Sequence, residues 1–186
     1  RVLMPYLSEA IRAVEEGVPY ALIDEAAESF GMPMGPIELA DVVGLDVIMS
    51  VGKVFFEDTT AAPATLLRLV EQKKFGKKTG AGFYVWQDGK PQKPPAGDRP
   101  LPEDLQDRLI LSLVNEAVTV LREQVVADAD LVDAGVIFGT GFAPFRGGPL
   151  QYARNRGIEA VIERLRALES RYGERFRPDP GWQQLA

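Results

Sequence analysis

Lys73, Lys74, Lys77 and Lys78 crowd around the glycines of FGKKTGAGF (75–83), where cations meet permissive backbone. Such a cluster could cradle a phosphate. A phosphate loop needs G-x-x-x-x-G-K-[ST], but Glu71 stands at the first glycine position and Lys78 at the last. Two readings stay open: a solvated turn with glycines at positive φ, or a contact of Lys77 and Lys78 with an anionic ligand or another domain. Arg146 is the other isolated cation, lying between Phe145 and Gly147-Gly148 just ahead of a helix start. An arginine so placed could bind a carboxylate or phosphate, or pair with an acidic residue of a neighbouring helix.

The remaining chemistry is sparse. The 186 residues contain no histidine, so the commonest general base at neutral pH is missing, and no cysteine, which excludes disulfides and thiolate metal sites. No metal site is expected. Asp24, Glu38, Asp41 and Asp46 are expected at helix starts and ends, where capping and the helix dipole explain them, and Asp133 follows the pattern of Asp24. Gly31, Gly35, Gly44, Gly80 and Gly82 form no G-x-G-x-x-G unit between a strand and a helix, so no dinucleotide fingerprint is present. Met32 and Met34, on either side of Pro33, suit irregular core or interface packing, or an acyl channel.

The composition, 46% apolar and 26% charged, is that of a globular protein. A net charge of −6 with scattered lysines and arginines argues against a nucleic-acid partner. No apolar run approaches the roughly 20 residues of a membrane span, and no signal-peptide pattern opens the chain, so a cytoplasmic setting is expected. Arg1 starts in helical pattern without an N-cap, as in a piece of something longer.

The elements that must position these residues are helical. The spacing of apolar residues predicts helices over 1–16, 20–30, from Pro36 to the stop at Gly44, 45–56, 65–73, 102–124, 131–138 capped by Asp130, from Pro149, and over 158–172. Pro5 implies that the first helix begins near it or bends. Residues 83–91 carry a small hairpin turning at Asp88-Gly89. Residues 91–102 hold five prolines and are expected to form an extended linker.

The halves resemble each other. Arg1, Leu3, Leu7, Glu9 and Ala10 are matched in spacing by Arg108, Ile110, Val114, Glu116 and Ala117. Further on, Asp24 corresponds to Asp133, Pro33 to Pro144, Gly35-Pro36 to Gly148-Pro149, and Gly44 to Gly157. Each half buries little alone, which favours pairing two similar units. The expectation is an all-α chain of two tandem repeats, 1–90 and 103–186, packed as a pseudo-dimer and joined by the linker 91–102.

These residues resemble a family. RVLMPYLSEAIRAVEEGVPYALIDEAAESFGMPMGPIELADVVGLDV, KFGKKTGAGFYVW and GTGFAPFRGGPLQYA are similar to the C-terminal helical region of L-3-hydroxyacyl-CoA dehydrogenases. They look most like the tandem C-terminal domains of multifunctional fatty-acid oxidation enzymes, in which one chain carries hydratase and dehydrogenase parts. The resemblance implies a 6-phosphogluconate dehydrogenase C-terminal-like fold. It also implies NAD-dependent oxidation of a 3-hydroxyacyl-CoA to the 3-ketoacyl-CoA, with NAD, the catalytic His and its Glu held upstream of Arg1. No catalytic or cofactor-binding residue carries over, and this chain alone is expected to be inactive. What carries over is one wall of the acyl-CoA cleft, first at Met34, Gly35 and Pro36, and packing against the chain's own Rossmann domain. A thiolase subunit is a further partner implied by the resemblance. The alternatives are a free-standing helical interaction or dimerisation module and a passive acyl-CoA-binding domain.

Overall fold

The computed structural model describes residues 1–55, 63–95 and 100–185, and the side chains of 53–55 lie outside that description. Phe56, expected in a helix, and 96–99 of the expected linker fall outside the described residues. Within them the chain is helical: α1 (Leu3–Glu15), α2 (Tyr20–Phe30), α3 (Pro36–Val43), α4 (Leu45–Phe55), α5 (Ala64–Glu71), α6 (Leu105–Arg122), α7 (Ala129–Thr140), α8 (Pro149–Arg156) and α9 (Ile158–Tyr172). Among the described residues the only sheet is a hairpin of two short strands, β1 (Trp86–Gln87) and β2 (Lys90–Pro91), with Trp86 opposite Pro91. Asp88 (φ 50°) and Gly89 (φ 73°) make the turn, the left-handed pair that the Asp-Gly signal predicts. No described helix is long and apolar enough to cross a membrane.

The chain divides into two compact units. One comprises Leu7–Ser29 and Met34–Glu103; the other comprises Arg1–Tyr6, Phe30–Pro33 and Asp104–Ala186. In the first, Leu7, Ile11, Ile23, Ala27, Ile37 and Leu45 are buried, with Tyr84 and Trp86 of the hairpin region. Gly44 (φ 103°) breaks α3 from α4, and the Leu45 amide there donates to the Phe75 carbonyl at 3.1 Å. In the second, α6 is the central element: Leu105, Leu109, Leu113, Val114 and Ala117 are all buried. α6 packs against α7, α8, α9 and the two short 3-10 helices that end the chain, Glu174–Phe176 and Pro180–Gln184.

Most predicted elements stand, with ends shifted by a few residues. Pro5 lies in the first turn of α1, where its missing N–H costs nothing. One expected cap is corrected. α7 begins two residues earlier than the spacing predicts, because Asp128, not Asp130, accepts from the Leu131 amide, at 2.9 Å. Asp130 sits instead in the first turn. Pro91, the first residue of the expected linker, pairs in the hairpin, and the Gln92 amide donates to the Val85 carbonyl at 2.8 Å.

Candidate functional site

The expectation that capping at their own helix ends explains Asp24 and Asp41 is corrected. Asp24 lies in the middle of α2 and Asp41 near the end of α3, and both are buried, 1% and 0% exposed. Each reaches across to a different segment.

Asp24 holds the loop that runs into α3. Its Oδ1 accepts from the Ile37 amide at 2.8 Å and its Oδ2 from the Glu38 amide at 3.3 Å, so it caps a helix far away in sequence. The Tyr84 hydroxyl donates to the same Oδ2 at 2.9 Å. Lys93 brings its Nζ within 3.3 Å of Asp24, 2.8 Å of Glu28 and 2.7 Å of Glu38, with the Tyr84 ring centroid 5.9 Å away. Burial dominates at Asp24 and pushes its carboxyl up to about 6, against the Lys93 charge and the Ile37 and Tyr84 hydrogen bonds. Burial also works against the Lys93 ammonium, but its bonds to Glu28 and Glu38 outweigh that and hold its pKa above the usual lysine range. The Tyr84 hydroxyl is pushed up by burial and by the carboxylate it faces.

Carboxylate oxygens of Asp24, Glu28 and Glu38 all lie within 4.8 Å of one another, a donor set that a divalent cation would accept. The Lys93 ammonium reaches all three acids and offsets one of their charges.

Asp41 holds the glycine loop. Its Oδ1 accepts from the Phe83 amide at 2.8 Å, and its Oδ2 from the Tyr84 amide at 2.9 Å and Trp86 Nε1 at 3.0 Å. Burial raises its pKa against these three bonds. A Cβ on Gly82 would stand 2.0 Å from Asp41 Oδ1, and one on Gly76 (φ 102°) 2.2 Å from the Asp41 carbonyl. These glycines allow the loop to close on a carboxylate; no phosphate is needed to account for them.

The proposed cleft residues sit on this frame. Gly35 and Pro36 are buried and Met34 is half-buried, so Met34 offers the accessible side chain. A Cβ on Gly35 would lie 2.2 Å from Asp24, which is why glycine precedes Pro36. Lys78 is committed to Asp46, at 2.6 and 2.8 Å from its two oxygens. Lys77 lies over the Trp86 ring at 5.4 Å and has no carboxylate partner among the described residues. In the other unit, Arg146 donates from Nε to the Phe30 carbonyl at 2.9 Å and stacks 4.0 Å from the Phe30 ring centroid, with Phe145 and Tyr152 at 5.2 and 5.5 Å. No described carboxylate pairs with it.

Lys93 and Tyr84 were not singled out from the sequence. A lysine between prolines has no periodicity to mark it. The usable signal was Asp24 itself, an acid flanked by Ile23 and Ala27 on the inward side of α2.

The second unit repeats the Asp24 arrangement. Asp133, in α7, accepts from the Leu150 amide at 2.7 Å and the Gln151 amide at 2.9 Å, capping α8. A Cβ on Gly148 (φ 100°) would stand 2.4 Å from Asp133, as one on Gly35 would from Asp24.

Residues 1–86 match the family described as 3-hydroxyacyl-CoA dehydrogenase, C-terminal domain. The resemblance drawn from the sequence therefore holds. The fatty acid oxidation complex subunit alpha of Idiomarina loihiensis is 34% identical over 199 aligned positions, covering 100% of this chain and 28% of that protein. The chain thus spans 28% of the length of that curated relative. Two solved structures share the fold. The 3-hydroxybutyryl-CoA dehydrogenase of Escherichia coli has a TM-score of 0.78 at 24% identity, covering 99% of this chain and 58% of that one. The dehydrogenase part of multifunctional enzyme 1 from C. elegans has a TM-score of 0.67 at 15% identity, covering 100% and 46%.

Proposed function

We propose that these residues form the acyl-CoA-cleft wall and domain-packing region of an NAD-dependent L-3-hydroxyacyl-CoA dehydrogenase of fatty-acid β-oxidation. The observation that carries this is the 34% identity to a fatty acid oxidation complex alpha subunit along the whole chain. The residues present do not fit the nicotinamide cofactor. Among the described residues no strand leads through a Gly-rich turn into a helix, and Asp24 and Asp41 spend their oxygens on the chain itself. No step of hydride or proton transfer is therefore assigned here. The work of these residues is positional: Asp24 fixes the Met34–Pro36 loop, Asp41 fixes the glycine loop, and Met34 and Lys77 are the side chains offered to an acyl-CoA.

Two tandem repeats, 1–90 and 103–186, are part of the same proposal, supported by the matched caps of Asp24 and Asp133. So are a Rossmann domain, a thiolase subunit as complex partner, and a cytoplasmic setting. The experiment is steady-state kinetics on the full-length protein carrying Met34→Glu. The expected result is a several-fold higher KM for acetoacetyl-CoA with kcat little changed, while the 186-residue chain alone oxidises no NADH. An unchanged KM, or turnover by the chain alone, overturns the reading.

A further inference from the structure

Three carboxylates, one ammonium and one backbone amide meet where the hairpin leads into the proline-rich stretch. Glu28 Oε1 accepts from the Gly35 amide at 3.2 Å and also from Lys93 Nζ at 2.8 Å. Lys93 therefore shares one acceptor with the loop that opens α3, and it touches the two other acids flanking that loop, Asp24 and Glu38. Two residues earlier the chain is paired in β2, and beyond it Pro94 and Pro95 are exposed. Among the described residues, Lys93 is the last point at which the chain beyond the hairpin is fastened to α2 and α3 by an ion pair.

We infer that Lys93 is a positioning residue: a latch whose ammonium fastens the strap and, by balancing Asp24, Glu28 and Glu38, sets the conformation of the Met34–Gly35–Pro36 loop. Without the ammonium three acids share one small space, and their mutual repulsion falls on the groups that receive the Gly35, Ile37 and Glu38 amides. Among the described residues, the titratable groups facing Lys93 are Asp24 and Glu28 from α2, Glu38 from α3 and Tyr84 from the segment before β1. The Lys93 side chain is 28% exposed, so salt reaches the latch. The Phe83 amide on Asp41 provides an internal reference within the same unit, because Lys93 is paired to other acids. The coupling rests on this geometry and does not depend on which ligand the loop faces.

Amide hydrogen exchange read residue by residue tests it. In Lys93→Met the amides of Gly35, Ile37 and Glu38 are expected to exchange about tenfold faster than in the parent protein, with Phe83 unchanged. Lys93→Arg restores most of the protection. In the parent, raising salt from about 0.1 M to about 1 M accelerates the same three amides, and in Lys93→Met salt has no such effect. Parent-like rates in a folded Lys93→Met overturn the inference, as does equal acceleration at Phe83, which marks general loosening. If Lys93→Met does not fold, the salt series on the parent decides: three amides insensitive to salt also overturn it.

Discussion

Asp24 and Asp133 are one device used twice. Each sits buried within a helix, α2 or α7, and each receives two successive amides from the first turn of a later helix, Ile37 and Glu38 or Leu150 and Gln151. Each is approached by a glycine that leaves no room for a Cβ. Asp24 carries more: the Tyr84 hydroxyl and the Lys93 ammonium converge on it, and Asp133 has neither.

Asp133→Ala orphans two helix N–H groups and is expected to cost about 1–2 kcal/mol, the range of a lost cap. Asp24→Ala orphans those and the Tyr84 hydroxyl, and its cost is about 3–5 kcal/mol. Urea denaturation of the two variants measures the order; equal losses would show that Tyr84 and Lys93 add nothing.

Glycines separate into two kinds. Gly35→Ala drives a Cβ to 2.2 Å from Asp24 and is expected to destabilise by about 1–3 kcal/mol through displacement of the cap. A Cβ on Gly135, in the interior of α7, meets nothing within 4 Å, so Gly135→Ala gains helix propensity and about 0.8 kcal/mol. Thermal melts of the pair should move in opposite directions.

Asp41→Ala leaves the Phe83 and Tyr84 amides and the Trp86 indole N–H without their acceptor inside a buried site. The expected loss is about 3–5 kcal/mol, with Trp86 fluorescence shifting as its indole N–H reaches water. An unshifted emission maximum would mean that the glycine loop holds its place without Asp41.

How much of this was legible follows from the range of each interaction. Helix periodicity is local, so α9 could be placed at its ends and α7 only to within two residues, where two aspartates competed to cap it. The Asp88-Gly89 turn is encoded in two residues. The matched Asp24 and Asp133 emerged as a spacing, but their partners lie in other helices and no pattern names them. Arg146 was conspicuous as a lone cation, yet its guanidinium is spent on a carbonyl and aromatic rings. Lys93 looked like linker because prolines on both sides hide a contact made only in three dimensions.

Arg146→Ala removes a hydrogen bond to Phe30 and the stacking of a guanidinium on its ring. The expected cost is about 1–2 kcal/mol, and Arg146→Lys recovers less than half, since an ammonium cannot both stack flat and donate from Nε. Parent-like stability of Arg146→Ala would return this residue to the candidates for anion binding.

The pH dependence of stability has two opposed parts. Asp24 has its carboxyl raised from 3.8 to about 6 in the folded chain, with burial the main cause. Between those values the folded state binds more protons than the unfolded one, so this contribution is greatest below about 4 and is lost as pH rises towards about 6. Asp107 behaves oppositely. Burial opposes its charge, but hydrogen bonds from Arg156 and Arg164, at 2.5 and 2.6 Å, outweigh that and hold its pKa below the usual value. Its contribution is present above the unfolded carboxylate pKa and is lost as pH falls through the folded one. Asp24→Asn should therefore flatten the stability profile between pH about 4 and about 6, and Asp107→Asn should flatten it on the acid side of about 4. Urea midpoints measured across that range separate the two. A profile between about 4 and 6 that is unchanged in Asp24→Asn would mean that Lys93 and Tyr84 keep Asp24 ionised throughout.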